Sequence, residues 1–99
     1  MKINYKPLFQ DSFFKLVKSD IELQKEIEKE IDNLGSLYNQ KSYRIKNITF
    51  FDNNKKINGL MYGLIPKSYL KKVNSNSFMI KLYFTIENDT LTLFDIIFY

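Results

Sequence analysis

Without a histidine or a cysteine among its 99 residues, this chain leaves any chemistry to carboxylates, lysines and tyrosines. Histidine is the commonest metal ligand and the one side chain whose unperturbed pKa lies near neutrality. Cysteine would have supplied thiolate ligands, a nucleophile or a disulfide. A general acid or base here must therefore be a carboxylate, lysine or tyrosine with a shifted pKa. One strand collects suitable groups: in the stretch from Phe78 to Ile86, strict alternation places Lys81, Tyr83 and Thr85 on one face. Phe78, Ile80, Leu82, Phe84 and Ile86 take the other face.

Three further groupings carry less. Glu22, Glu26 and Glu30 form a row at helical spacing that resembles a metal or acid-base cluster, but a charged row opposite a clear apolar face reads as solvated. Lys67, Lys71 and Lys72 fall on an exposed connection. Gly59 and Gly63 are too sparse for a phosphate-cradling loop and instead mark a bend or a close backbone approach within a strand.

Net charge is +4, and its distribution is uneven. Residues 1–35 hold six lysines and seven carboxylates, whereas residues 36–99 hold nine basic and four acidic groups. A basic second part points to a nucleic-acid partner. Composition offers a second source for the basicity: one arginine against fourteen lysines, no alanine, and abundant Ile, Asn, Phe and Tyr suit an A+T-rich coding sequence. No apolar run approaches the roughly 20 residues of a membrane helix, and Met1-Lys-Ile-Asn-Tyr-Lys-Pro7 lacks a signal-peptide core. The expected location is the cytoplasm, with no membrane partner.

Periodicity predicts one α+β domain over residues 1–99. Ile3 and Tyr5 mark a short strand that ends at Pro7, a residue suited to a first helical turn. Phe9, Phe13, Leu16 and Val17 line one face of a first helix. Ser19 and Glu22 form an S-x-x-E capping box for a second, whose buried face is Leu23, Ile27, Ile31 and Leu34 and whose stop is Gly35. From residue 42 the period becomes two. Ser42 to Phe51 is a strand with a slip between Ile45 and Ile48 that suggests a bulge or an early strand end, Asp52-Asn-Asn54 a turn, and Lys56 to Ile65 the return strand. Residues 67–73 permit a helical turn or two and 74–77 a loop. A hairpin closes the domain around Glu87-Asn-Asp-Thr90, and its second strand, Leu91 to Phe98, is apolar enough to be covered on both faces. Residues 1–35 thus give a strand and a helical hairpin, and residues 36–99 a sheet of three or four mainly antiparallel strands.

That order, with these residues, resembles the RelE/ParE superfamily of toxins from bacterial toxin–antitoxin modules. The first part of the likeness is Ile3-x-Tyr5 followed by Phe9, Phe13, Leu16 and then Ile27, Ile31 and Leu34. The second is Lys81-Leu-Tyr-Phe-Thr-Ile-Glu-Asn-Asp-Thr-Leu-Thr-Leu-Phe-Asp-Ile96, which looks like the family's basic-aliphatic-aliphatic-aromatic strand, acidic turn and final strand. Together they cover a little more than half of the chain. The resemblance implies cleavage of messenger RNA or inhibition of translation without a metal or other cofactor, with RNA or the ribosome as target and a cognate antitoxin as partner. In such cleavage the RNA's own 2′-OH attacks, while the protein stabilises the crowded phosphorane and protonates the leaving oxygen. Lys81 stands where the family usually has an arginine, keeping the charge but losing the planar fork. The resemblance makes Lys81, Tyr83 and Tyr99 the catalytic candidates, and Arg44, Lys46, Lys67, Lys71 and Lys72 the RNA-binding ones.

Two departures shape the alternative. RNA-cutting relatives usually carry a basic residue and a tyrosine or histidine beyond the Asp-Ile, whereas here Ile97-Phe-Tyr99 leaves Tyr99 alone to stand in. Residues 42–77 are also longer than the family pattern and read as holding an added hairpin, with the insertion at 52–77. The alternative is a non-catalytic protein on the same scaffold, such as a gyrase inhibitor or a mobile-element-encoded inhibitor of a host nuclease or defence complex.

Overall fold

The computed structural model describes residues 1–67 and 79–98. The expected helical turn and loop, together with Lys71, Lys72 and Tyr99, lie outside the described residues. The order is β1 (Lys2–Tyr5), α1 (Pro7–Val17), α2 (Ile21–Asn39), β2 (Ile45–Asp52), β3 (Lys55–Leu64), β4 (Ile80–Glu87) and β5 (Thr90–Phe98). The five strands form a single mixed sheet in the order β1-β5-β4-β3-β2. β1 runs parallel to β5, and all other neighbours are antiparallel. The fold is therefore α+β. β3 is an inner strand, paired with β2 on one side and β4 on the other.

Two turns fix the register. Asn53 and Asn54 have φ of 50° and 64°, and Asn88 and Asp89 have φ of 50° and 57°. Positive φ at both central residues is the two-residue hairpin geometry whose twist matches that of the flanking strands, and Asn and Asp tolerate it best after glycine. β2 then pairs with β3 from Ile45↔Tyr62 to Asp52↔Lys55 without interruption. The slip at Ile45 and Ile48 is therefore not a bulge; Ile45 packs against the core beneath the helices, while Ile48 turns to the opposite face.

The bulge lies in β5. Tyr83 pairs with Asp95 but Phe84 with Leu93, so Phe94 is the extra residue. This rephasing lets Leu91, Leu93 and Ile96 all join the core and turns Phe94 to the other face. The near-continuous apolar run of β5 thus has two causes, the core contacts and the bulge.

Both helices cover one face of the sheet. Phe9 and Val17 of α1, with Leu23, Ile27, Ile31 and Leu34 of α2, pack against Tyr62, Ile80, Leu82, Phe84, Leu91 and Leu93. Complete burial of one such aliphatic side chain contributes about 1.5–3 kcal/mol. Asp20, rather than Ser19, caps α2: its Oδ1 accepts from the Leu23 N–H at 3.1 Å. Gly35 does not stop that helix, which continues for another turn because Leu37 still packs on the core. Its stop is Lys41, at φ 54°, followed by Ser42, whose N–H donates to the Leu37 carbonyl.

The glycines separate two effects. A Cβ on Gly59 would lie 2.5 Å from Cε1 of Phe50 and 2.9 Å from the Phe84 carbonyl oxygen, so the Phe50 ring needs that absence. On Gly35 a Cβ would meet only the flexible Met1 thioether, at 3.2 Å. Gly59→Ala is expected to destabilise by about 1–3 kcal/mol through overpacking. Gly35→Ala should be neutral or stabilise by up to about 1 kcal/mol through helix propensity. Denaturant unfolding of the two variants reads this difference in sign.

Candidate functional site

The face of the sheet opposite the helices holds most of the candidate residues. Lys81, Tyr83 and Thr85 share it on β4, as alternation predicts, and all three are half-buried. Register then brings in a row from every neighbouring strand: Lys46 pairs with Met61, Met61 with Tyr83, and Tyr83 with Asp95. Gly63, Lys81 and Ile97 form the next row. Ideal sheet spacing puts the Lys46 and Lys81 backbones about 12 Å apart, two strands over and two residues along.

An aromatic cluster occupies the centre of this face. The Phe50 ring reaches over Gly59 and meets Phe94 edge-on, at 5.2 Å between centroids, and Tyr83 at 5.7 Å. Such edge-to-face pairs contribute about 0.5–1.5 kcal/mol beyond their burial. Phe50 lies on β2 and Phe94 on β5, so this contact spans the two intervening strands and implies a strongly curled sheet. The curl also joins the ends of the sheet. Lys6, just after β1, makes an ion pair of 3.5 Å with Asp52 at the end of β2 and lies 5.2 Å from the centre of the Phe94 ring. To one side of this clasp is a cleft of about 270 Å³ with Leu8, Phe51, Asp95 and Ile97 on its walls and Phe50, Tyr83 and Phe94 around it. Asp95 is tied locally, with Oδ1 accepting from the Ile96 N–H at 2.8 Å.

Other candidates fall elsewhere. Arg44 does not join Lys81: its guanidinium carbon lies 5.3 Å from the Tyr62 ring centre, on the helix side of the sheet. Lys67 sits beside α2, its N–H donating to Glu26 Oε2 at 2.8 Å. The glutamate row is accordingly not a plain solvated face. Glu30 Oε2 accepts from the Tyr62 hydroxyl at 2.7 Å and ties α2 to the sheet, while Glu26 accepts from Lys67 and ties α2 to the segment after β3. Among the described residues no cluster of three potential ligands could hold a metal ion, and no helix is long and apolar enough to cross a membrane.

The residues that sequence reasoning passed over are Phe50, Phe94, Lys6 and Asp52. Their association depends on the bulge in β5 and on the curl of the sheet, neither of which has a local pattern. The one available signal was Gly59, a gap in a strand that invites a neighbouring side chain.

The architecture is thus a two-layer α+β domain with a helix-covered face and an open one. Comparison of the chain with protein-family models, with curated proteins and with solved structures gives no match. The open face has to be read from its own geometry.

Tyr62 provides a chemical check on the helix-side packing. Burial, reinforced by the bonded Glu30 carboxylate, pushes its phenol up from 10.0 to about 12. The folded state thus favours the neutral phenol, so the associated stability is complete below pH 10 and is lost as pH rises towards 12. Burial also raises the Tyr5 phenol, so phenolate absorbance should show a late-titrating component that loses its share near pH 12 in Tyr62→Phe and keeps the rest. In that variant, the fall in stability between pH 10 and 12 measured by denaturant unfolding should become shallower.

Proposed function

We propose that this protein is a RelE/ParE-like toxin that acts on a nucleoprotein target through the open face of its sheet, by metal-independent cleavage of messenger RNA or inhibition of translation. The observation that carries this reading is the assembly of Lys46, Lys81 and Tyr83, with the half-buried Phe50 ring, on the face that neither helix covers. Cations beside aromatic rings suit a single strand, whose phosphates need charge and whose bases need a stacking surface. About 12 Å between the two lysine positions suits contact with separate phosphates of one strand. In the cleaving form the 2′-OH loses its proton to solvent as its oxygen bonds to phosphorus, the P–O5′ bond breaks, Tyr83 gives its phenolic proton to the leaving O5′ and regains one from solvent, and Lys81 stabilises charge on the phosphorane. The order of one strand, two helices and then four strands supports the same family reading.

A second reading rests on Tyr83 itself. Its ring packs edge-on against Phe50, which makes it part of the aromatic floor. Such a surface binds without cutting, as in a gyrase inhibitor or an inhibitor of a host nuclease or defence complex.

Purified protein added to a translation extract distinguishes them. The first reading predicts halted synthesis, defined cuts in the message, and a loss of about 100-fold in cutting rate for Lys81→Ala, the scale of removing one stabilising cation. Halted synthesis with intact message leaves inhibition without cleavage. Unaffected translation with intact message refutes the toxin reading on this target.

A further inference from the structure

The two edges of the sheet are protected very differently. β1 is four residues long and runs straight into Pro7. β2 is eight residues long, pairs with β3 without a bulge, and contains no proline. A long, regular edge strand is a template for another strand, and edges that must stay single are normally shortened, bulged or broken by proline. The one further device, charge on the edge, is present as Lys46 and Asp52, one of each sign.

Its backbone parity can be read from the hairpin. In a two-residue turn the flanking pair, Asp52 and Lys55, exchanges both backbone hydrogen bonds. The even-numbered residues Lys46, Ile48, Phe50 and Asp52 therefore bond towards β3, and Asn47, Thr49 and Phe51 direct their N–H and C=O outward. Those outward groups have no backbone partner among the described residues.

We infer that two copies of this chain pair β2 with β2, antiparallel, about a two-fold axis at Thr49. Registers that keep the outward groups opposite one another differ by whole two-residue steps. With Thr49 opposite itself, Asn47 faces Phe51 of the second copy, and both pairs bond through outward groups. The side chains select this register. Lys46 comes opposite Asp52 of the second copy, and Ile48 opposite Phe50. A shift of one step in either direction places Lys46 or Asp52 against an apolar residue.

These are the closer, non-hydrogen-bonded pairs, where opposite charges and apolar contacts contribute most. Lys46 has no ion-pair partner among the described residues, and Asp52 meets Lys6 through Oδ2 at 3.5 Å. The arrangement also gives a place to Phe51, which is 71% exposed in the single chain. Because each copy contributes the same strand, the pairing closes on itself and does not propagate. It joins the two open faces into one continuous surface.

Sedimentation equilibrium of the full chain tests this directly. The expected species has twice the 11.9 kDa of the chain. Thr49→Pro removes an outward N–H that β3 does not use, so it should yield a folded monomer. Lys46→Asp alone and Asp52→Lys alone each set like charges opposite and should weaken dimerisation by about 10-fold or more. Mixed together, these two variants restore both opposite-charge pairs and should form a heterodimer close to wild-type affinity. Circular dichroism confirms that each variant is folded. A wild-type chain that stays monomeric overturns the proposal, as does a dimer indifferent to Thr49→Pro or a variant mixture that does not associate.

Discussion

The contact on which the open face depends is the Phe50 ring seated in the gap left by Gly59. With both helices on one side, no layer among the described residues covers the other side of the sheet, and a hydrophobic strand face left bare would be a liability. The chain covers the middle of that face with its own side chains. Phe50 can reach Phe94 because Gly59 offers no Cβ and because the bulge in β5 turns Phe94 towards it. That contact goes together with the curl of the sheet, the approach of Lys6 to Asp52, and the cleft beside them. The aromatic centre also fixes where Tyr83 lies, and hence how the two flanking lysines sit around it.

The polar groups are divided between the faces with different consequences. On the helix side, Glu26 and Glu30 accept from Lys67 and Tyr62 at 2.8 and 2.7 Å, so carboxylates at the helix–sheet interface act as fasteners. There a buried hydroxyl is satisfied, and the cost of burying it alone, about 1–3 kcal/mol, is avoided. On the open side the charged groups are partly solvated and border an apolar floor. The first arrangement holds the fold together, and the second leaves charge accessible to a ligand. This separation is the physical basis for assigning function to the open face.

Much of this was legible where the determining pattern is local. The helix faces of Leu23, Ile27, Ile31 and Leu34, the Asn53-Asn54 and Asn88-Asp89 turns, and the common face of Lys81, Tyr83 and Thr85 each follow from spacing within one element. Ser19 and Asp20 are neighbouring cap residues, and which one caps α2 depends on the geometry of the short link from α1. Gly35 was misleading because a helix interior accepts a glycine when the next turn still finds core contacts and a chain terminus crosses close by. Arg44 and Lys46 were both candidates for the face of Lys81, but choosing Lys46 requires the register of two hairpins and the direction of the loop before β2. The bulge at Phe94 was hidden because an apolar run gives no sign of its phase.

The central claim is that the uncovered face is the working surface. Amide NMR of the 15N-labelled protein, titrated with a short single-stranded RNA, tests it most directly. The account predicts saturable shifts at Lys46, Met61, Lys81 and Tyr83, with the α1 and α2 amides unmoved. Shifts confined to the helices, or none anywhere at RNA concentrations up to the millimolar range, would contradict it.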